Sequence, residues 1–556
     1  MSTALAGIGV SPGTVAGPVA RMAPPPQLPT DLPPVSDVMA EIAAAEAALH
    51  EVGSALEARA SAAAGTAGKE VADVLNAQAM MARDPGLAHK VTDRIKLGQP
   101  APQALDASFG EFRQMLAAAG PYLAERVADL DDIRNRAIAS VLGVPMPGIP
   151  TPGHPFVLVA PDLAPADTAT LDPAVVLGIV TEGGGPTSHT AILAKSLGLP
   201  AVVACPDAAA LTDERMVLLD GTTGDVVADP SAELVTNAET RQQARRRALA
   251  SSTGPGHTAD GHAVKLLVNL GAARDLPSAS AADSEGVGLF RTEFLFLDRP
   301  DAPTLAEQAA NYEKVFAAFS GRMVVVRTLD AGADKPLRFA TVPDEPNPAL
   351  GVRGLRVARR LPELLTTQLT AIAKAAAITG ADVRVMAPMV TTPAEAADFA
   401  AWAHAAGLPV AGVMVEVPAA ALRASAVLAG CDFLSLGTND LAQYTLAADR
   451  MNGDLADLLD PWQPALLDLV ALSADAGQQL GKPCGVCGEA ASDPLLALVL
   501  VGLGVTSLSM APVSLPEVRA ALAAHTLDEC RQLAVAARAA ADPAGARAAV
   551  SALLAT

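Results

Sequence analysis

Two carboxylates and a set of arginines carry the first chemical signature. Glu416 follows the apolar run Val413-Met414-Val415, and Asp440 follows Ser435-Leu436-Gly437-Thr438-Asn439. Carboxylates at the ends of short strands suit a hard divalent cation such as Mg2+, with the other positions left to substrate oxygens and water. Taken singly, either could instead cap the helix that follows it. Arg291, Arg327 and Arg353 stand at or just after apolar runs in the same half of the chain. The planar arginine fork binds phosphate or carboxylate through two hydrogen bonds, so three of them around a cation site imply a phosphorylated, carboxylated substrate. Cys484-Gly485-Val486-Cys487 reads as a redox pair, half a zinc site, or a single thiol that moves a proton in a dry pocket. No second Cys-x-x-Cys and no nearby histidine pair accompanies it, which disfavours zinc.

A second signature lies upstream, from Thr181 to Lys195. A short β-rich run enters Gly183-Gly184-Gly185, and Pro186-Thr187-Ser188 then leads into His189 at the start of a helical stretch. Glycines let the backbone approach an anion, and a helix start offers free N–H groups and positive potential. A neutral imidazole there is a good nucleophile toward phosphorus. The bland alternative is a capping turn with an incidental histidine. Of the eight histidines only this one has such a setting; His257 and His262 fall in a linker.

These residues need elements to hold them. With 556 residues the chain is long enough for three or four domains of roughly 150 residues each. A net charge of −21 argues against nucleic acid or an anionic membrane and suits a basic protein partner. The N-terminus lacks a signal-peptide pattern, and five scattered cysteines imply a reducing compartment, so a cytoplasmic location is expected. From Asp37 to about Leu142 the Ala/Leu/Glu pattern is helical, broken at Gly65, Asp84-Pro85-Gly86, Gln99-Pro100 and Gly120-Pro121. That predicts about four helices interrupting an α/β domain. Eight short apolar runs, beginning at Lys265, Gly286, Met323, Val383, Ala411, Asp432, Lys482 and Val505, then alternate with helical sequence. A doubly wound sheet shows the same alternation, but the polar residues fall at the run ends, which in a (β/α)8 TIM-like barrel converge on one face.

Together these stretches resemble the phosphoenolpyruvate-protein phosphotransferase family, enzyme I of the bacterial sugar phosphotransferase system. The matching motifs are Gly184-Gly185 through Ser188-His189-Thr190, Gly288 through Leu295, Arg327-Thr328-Leu329-Asp330 with Asp334-Lys335, and Asn347-Pro348 through Arg353. They continue with Met414 through Pro418, Gly437-Thr438-Asn439-Asp440-Leu441, and Cys487-Gly488-Glu489. The resemblance runs in order along the whole chain.

It implies a swivelling phosphohistidine α/β domain (1–21 and 145–230), interrupted by a helical subdomain (22–144). A linker helix and hinge (231–260, turning at Gly254-Pro255-Gly256) and a phosphoenolpyruvate-binding barrel (261–556) follow. It further implies His189 as phosphoryl acceptor, with Thr168, Gly184, Gly185, Thr187 and Ser188 around its phosphate. Glu416 and Asp440 would hold Mg2+. Arg291, Arg327, Lys335, Arg353, Asn439 and Arg450 would bind phosphoenolpyruvate, and Cys487 would protonate the enolate to pyruvate. The expected partners are the phosphocarrier protein HPr, docked on the helical subdomain, and a second copy joined through the barrel. Pro186 stands where many members carry arginine. A dikinase-like relative using a nucleotide would need a large ATP-binding domain, and no Walker-type loop is found.

Overall fold

The computed structural model describes residues 3–11, 13–22, 26–29, 31–66, 69–118, 127–144, 148–150, 152–163, 171–185, 188–272, 275–297, 299–331, 337–342, 345–450 and 453–554. The chain divides into two compact units, Met1–Arg245 and Arg246–Thr556.

The first unit contains an eight-stranded sheet built from both ends of its sequence. The strands are β1 (Thr3–Ala6), β2 (Ile8–Ser11), β3 (Thr14–Arg21), β4 (Phe156–Ala160), β5 (Val176–Thr181), β6 (Ala201–Val203), β7 (Met216–Asp220) and β8 (Asp225–Ala228). Their order is β1-β8-β7-β3-β4-β5-β6-β2. The β3-β4-β5-β6 ladder is parallel, and β4 is buried throughout, as its uninterrupted apolar run Phe156-Val157-Leu158-Val159-Ala160 requires.

Between β3 and β4 the chain leaves the sheet, and its described residues there form the helices α1 (Val38–Thr66), α2 (Lys69–Ala82), α3 (Pro85–Lys96), α4 (Ala101–Ala118) and α5 (Val127–Leu142). Helices end at or near the predicted breaks, Gly65 falling in the last turn of α1, while the break at Gly120-Pro121 lies outside the described residues. Asp84 shows how such a break works. Its carboxylate caps α3 by accepting the Leu87 N–H at 2.9 Å, and Pro85, which has no N–H to lose, fills the first turn. Leu87, Val91 and Ile95 then recur every four residues and are all buried. Burying each side chain contributes about 1.5–3 kcal/mol. Inside this core Gln78 Nε2 donates to Asp129 at 2.7 Å, and Arg136 pairs with Asp132 at 2.8 Å.

After the helices α6 (His189–Leu197), between β5 and β6, and α7 (Ala232–Ser251), the second unit closes into a parallel barrel. Its strands are β9 (Lys265–Leu270), β10 (Gly286–Arg291), β11 (Met323–Arg327), β12 (Asp382–Ala387), β13 (Ala411–Val415), β14 (Leu434–Leu436), β15 (Cys484–Val486) and β16 (Ser507–Met510). The pairing of β16 with β9, Ser507 opposite Lys265 through Met510 opposite Val268, closes the ring and excludes the open sheet. Three strands, β14, β15 and β16, start two residues later than the apolar runs predict. Phe433 precedes β14, and its ring lies against Gly412, where a Cβ would come within 2.6 Å.

The turn read from sequence as a hinge is fastened to the barrel. The Gly254 N–H donates to Asp283 at 2.6 Å and the Gly256 N–H to Glu285 at 3.3 Å. The Arg519 guanidinium donates to Ser252 O at 2.7 Å and to Asp283 O.

Candidate active sites on the two units

In the first unit the histidine site is assembled by β5, the glycine turn and helix α6 (His189–Leu197). Thr181, last in β5, donates its hydroxyl to Gly183 O at 2.8 Å, and the Ala204 N–H donates to the same carbonyl at 3.0 Å. The turn is thereby tied to the chain after β6. Gly184 adopts φ +85°, which a side chain resists, and a Cβ there would meet Ser188 Oγ at 3.3 Å. Ser188 caps α6, its hydroxyl accepting the Ala191 N–H at 3.3 Å. His189 is therefore the first helical residue; its side chain, with Thr168 and Thr187, lies outside the described residues. Gly184, Gly185 and Ser188 are the parts of this constellation that the fold brings together. Sequence reasoning missed Asp162, whose carboxylate accepts the buried Thr190 hydroxyl at 3.0 Å and so fastens the start of α6 to the end of β4. An acid two residues past a buried strand was the available signal.

In the second unit the strand ends converge as barrel geometry demands. Arg291 and Arg327 are register partners at the ends of β10 and β11. Arg327 is buried among three carboxylates, with Glu293 at 3.1 Å, Asp330 at 3.5 Å and Glu416 at 3.8 Å. Arg353 spans Asp330 at 3.0 Å and Asp440 at 3.1 Å, and Arg450 reaches Asp440 at 3.4 Å. Asn439 opens the helix Thr438–Leu446 and accepts the Glu489 N–H at 3.3 Å. Lys335 lies outside the described residues. Glu293 and Asp330 enlarge the set beyond Glu416 and Asp440; each follows its arginine by two or three residues, a spacing that could have flagged them.

The backbone is drawn tightly around this cluster. Met389 holds φ +59° and donates its N–H to Glu416 Oε2 at 2.8 Å. A left-handed non-glycine residue stores strain that a functional site commonly carries. Gly354 approaches it so closely that a Cβ would meet Met389 Cβ at 2.8 Å. Burial, together with the Asp440 and Asp330 charges, pushes Glu416 up to about 8. A carboxyl so reluctant to ionise alone is one that a cation would stabilise. The pair Glu416 and Asp440 offers hard oxygen donors of the type Mg2+ takes, while among the described residues no group of three acidic, histidine or cysteine side chains is arranged to hold a metal by itself. Glu293 Oε2, Arg327 Nε and Arg353 Nε are buried without a hydrogen-bond partner among the described residues, the signature of a polar site built for a ligand.

Below the carboxylates lies Cys487. Its Sγ accepts from Ser435 Oγ at 3.2 Å and is 3.5 Å from Leu436 O. Burial pushes the thiol up to about 11, so it carries its proton at neutral pH. Cys484, in contrast, packs with the outer core, because residues three apart on a strand face opposite sides. The cysteines are neither disulfide-bonded nor aimed at one another, and the redox-pair reading fails. Ser435 went unnoticed in the sequence, since a serine inside an apolar run carries no signal.

The comparisons with known proteins match this architecture region by region. Residues 6–126 match the family described as PEP-utilising enzyme, N-terminal, and residues 152–224 the PEP-utilising enzyme mobile domain. Residues 245–527 match the PEP-utilising enzyme, PEP-binding domain. A phosphoenolpyruvate-protein phosphotransferase of Streptomyces coelicolor is 55% identical over 557 residues, covering 100% of both chains. The chain belongs to the phosphoenolpyruvate-protein phosphotransferase family. Further members from Haloferax volcanii (41% identical, 84% of each chain) and Geobacillus stearothermophilus (37%, 95% of this chain and 94% of that one) share the same name.

Proposed function

We propose that the chain takes the phosphoryl group of phosphoenolpyruvate onto His189, releases pyruvate, and passes the group to a histidine of the phosphocarrier HPr, the first step of a sugar phosphotransferase system. The observation that carries this reading is the barrel mouth, where buried arginines interleave with carboxylates above a protonated thiol. Arg291, Arg327, Arg353, Asn439 and Arg450, with Lys335, bind and orient the phosphate and carboxylate of the substrate. Mg2+ held by Glu416 and Asp440 would neutralise the charge of the transferring group.

The His189 imidazole attacks phosphorus, so that one P–N bond forms as the P–O bond to enolpyruvate breaks. The departing enolate takes its proton at carbon from Cys487 Sγ, and the thiolate regains one from solvent. The helix start and Gly184-Gly185 turn give the phosphohistidine donors and positive potential. Because the Gly254–Gly256 turn is bonded to the barrel, we place the pivot for the histidine domain upstream, in α7, where the two units divide.

HPr docks on the α1–α5 subdomain, an assignment supported by exposed apolar side chains there such as Met39, Met80 and Leu97. A homodimer through the barrel is supported in the same way by Leu350, Trp402 and Leu422. Five unpaired cysteines, all buried, suit the cytoplasm, and no helix among the described residues is long and apolar enough to cross a membrane. The test is incubation with 32P-labelled phosphoenolpyruvate and Mg2+. Acid-labile label that requires His189 and moves to HPr is expected; label that ends on a nucleotide would overturn the reading.

A further inference from the structure

One cavity of the barrel unit lies away from the arginine cluster. It has a volume of about 450 Å3, opens at the opposite, N-terminal end of the barrel beside the helix Pro464–Leu480, and extends into the lumen as far as Cys487. Its existence follows from the side chains that point inward. Most barrels fill their interior with layers of bulky branched residues. Here the lining includes Gly288, Ser435, Gly485, Ser507 and Ser509, small residues where bulky ones are usual. Interleaved with them around the ring is apolar surface from Leu267, Met323, Val325 and Phe433.

The open end is defined by the first residues of several strands and by the loops before them, with Ala263, Lys265, Arg384 and Lys482 at the rim. All three charged residues in the lining are cations. Arg384 is engaged by Asp382 at 2.7 Å, and the Lys482 ammonium donates to Leu428 O and Cys431 O at 2.9 and 2.5 Å. Lys265 is exposed.

We propose that this lumen is a second small-molecule site, which takes an amphipathic organic carboxylate with its apolar body against Leu267, Val325 and Phe433 and its carboxylate at Lys265. A cavity of this volume lies within the usual range of ligand pockets, about 300–1,000 Å3, and has their usual composition, apolar walls with a few placed polar groups. The hydroxyls of Ser507 and Ser509 supply those groups along one wall. A molecule seated there lies beneath Ser435 and Cys487, on the side away from the arginine cluster. It therefore binds independently of substrate, whatever the reaction at the barrel mouth proves to be.

The probe is 4-phenylbutyrate, titrated calorimetrically into the full chain with and without saturating phosphoenolpyruvate. Saturable binding whose affinity phosphoenolpyruvate leaves unchanged is expected. Ala263 is an exposed rim residue, so Ala263→Trp plugs the mouth without altering the core, and should weaken the probe at least tenfold; Lys265→Met should weaken it severalfold. Phosphoenolpyruvate binding by both variants should match that of the unaltered protein. No saturable binding, displacement of the probe by phosphoenolpyruvate, or full affinity in both variants would each overturn the proposal.

Discussion

Arg353 is the residue whose removal best separates architecture from chemistry at the barrel mouth. It is 3% exposed and bonded to Asp330 at 3.0 Å and Asp440 at 3.1 Å. Breaking a buried ion pair by deleting one partner costs about 3–5 kcal/mol, because the remaining charge stays buried. Here the cost falls near the lower end, since Asp330 keeps Arg327 at 3.5 Å and Asp440 keeps Arg450 at 3.4 Å. Arg353→Met should therefore destabilise the barrel unit by about 3 kcal/mol. It also removes a charged fork for the substrate anion. A charge-assisted hydrogen bond contributes about 1.5–3 kcal/mol, which corresponds to a loss of roughly 10- to 150-fold in kcat/KM. The double variant Asp330→Asn, Arg353→Met should recover much of the stability, since one orphaned charge is gone, while leaving the kinetic loss in place. The assay is rapid-quench phosphorylation over a range of phosphoenolpyruvate concentrations, paired with denaturant melts that report on the barrel. If the double variant recovered kcat/KM along with stability, Arg353 would be a structural counter-ion and the substrate assignment would be wrong.

Cys487→Ala should slow pyruvate formation by about 100-fold or more, the usual range for a lost general acid, with phosphoenolpyruvate affinity little changed; a normal rate of pyruvate release would remove Cys487 from the mechanism. Glu416→Gln should abolish the dependence of phosphorylation on Mg2+ together with most of the activity, so a Mg2+ titration that still saturates as in the unaltered protein would count against the carboxylate pair. Buried thiols set an alkaline limit on stability: Cys487 and Cys530 are pushed up to about 11 and Cys431 and Cys484 to about 12, all by burial. Their raised values mean that the folded state holds the protons. This contribution is complete below the ordinary thiol value of about 8.5 and is lost as pH rises toward 11–12, so melts should show the barrel weakening from about pH 9 upward. A barrel equally stable at pH 8 and pH 10.5 would refute it.

The barrel was legible because parallel strands covered on both faces must be apolar throughout, and runs such as Met323-Val324-Val325-Val326 have no other economical use. Arg291 and Arg327 were legible because each ends such a run. What stayed hidden depends on three-dimensional convergence. Ser435 meets Cys487 across two neighbouring strands, and Met389 donates to Glu416 across 27 positions, and neither relation leaves a trace in local spacing. The partners of the Gly254-Pro255-Gly256 turn stayed hidden for a related reason. Glycine and proline mark a bend, yet whether a bend is free depends on what its amides find, and here they find Asp283 and Glu285.

The charge pattern at the barrel mouth also explains why cation and substrate belong together. Glu293, Asp330, Glu416 and Asp440 stand against Arg291, Arg327, Arg353 and Arg450, so that these carboxylates and guanidiniums balance once Glu416 is ionised. In a site buried this deeply, an added unpaired charge is costly. A divalent cation entering alone would upset the balance in one direction, and a phosphate-bearing anion entering alone in the other. Bound together they largely cancel, and the arginines released from their carboxylate partners become available to the anion. The raised value of Glu416 fits this account, since burial and two neighbouring carboxylates hold it back from ionising until positive charge arrives. Binding of Mg2+ and of phosphoenolpyruvate should therefore be mutually reinforcing, each raising the affinity for the other by the same factor. Calorimetric titration of either one in the presence and absence of the other measures that factor directly, and a value of one would mean that the two occupy the mouth independently and that the ion-pair lattice is only scaffolding.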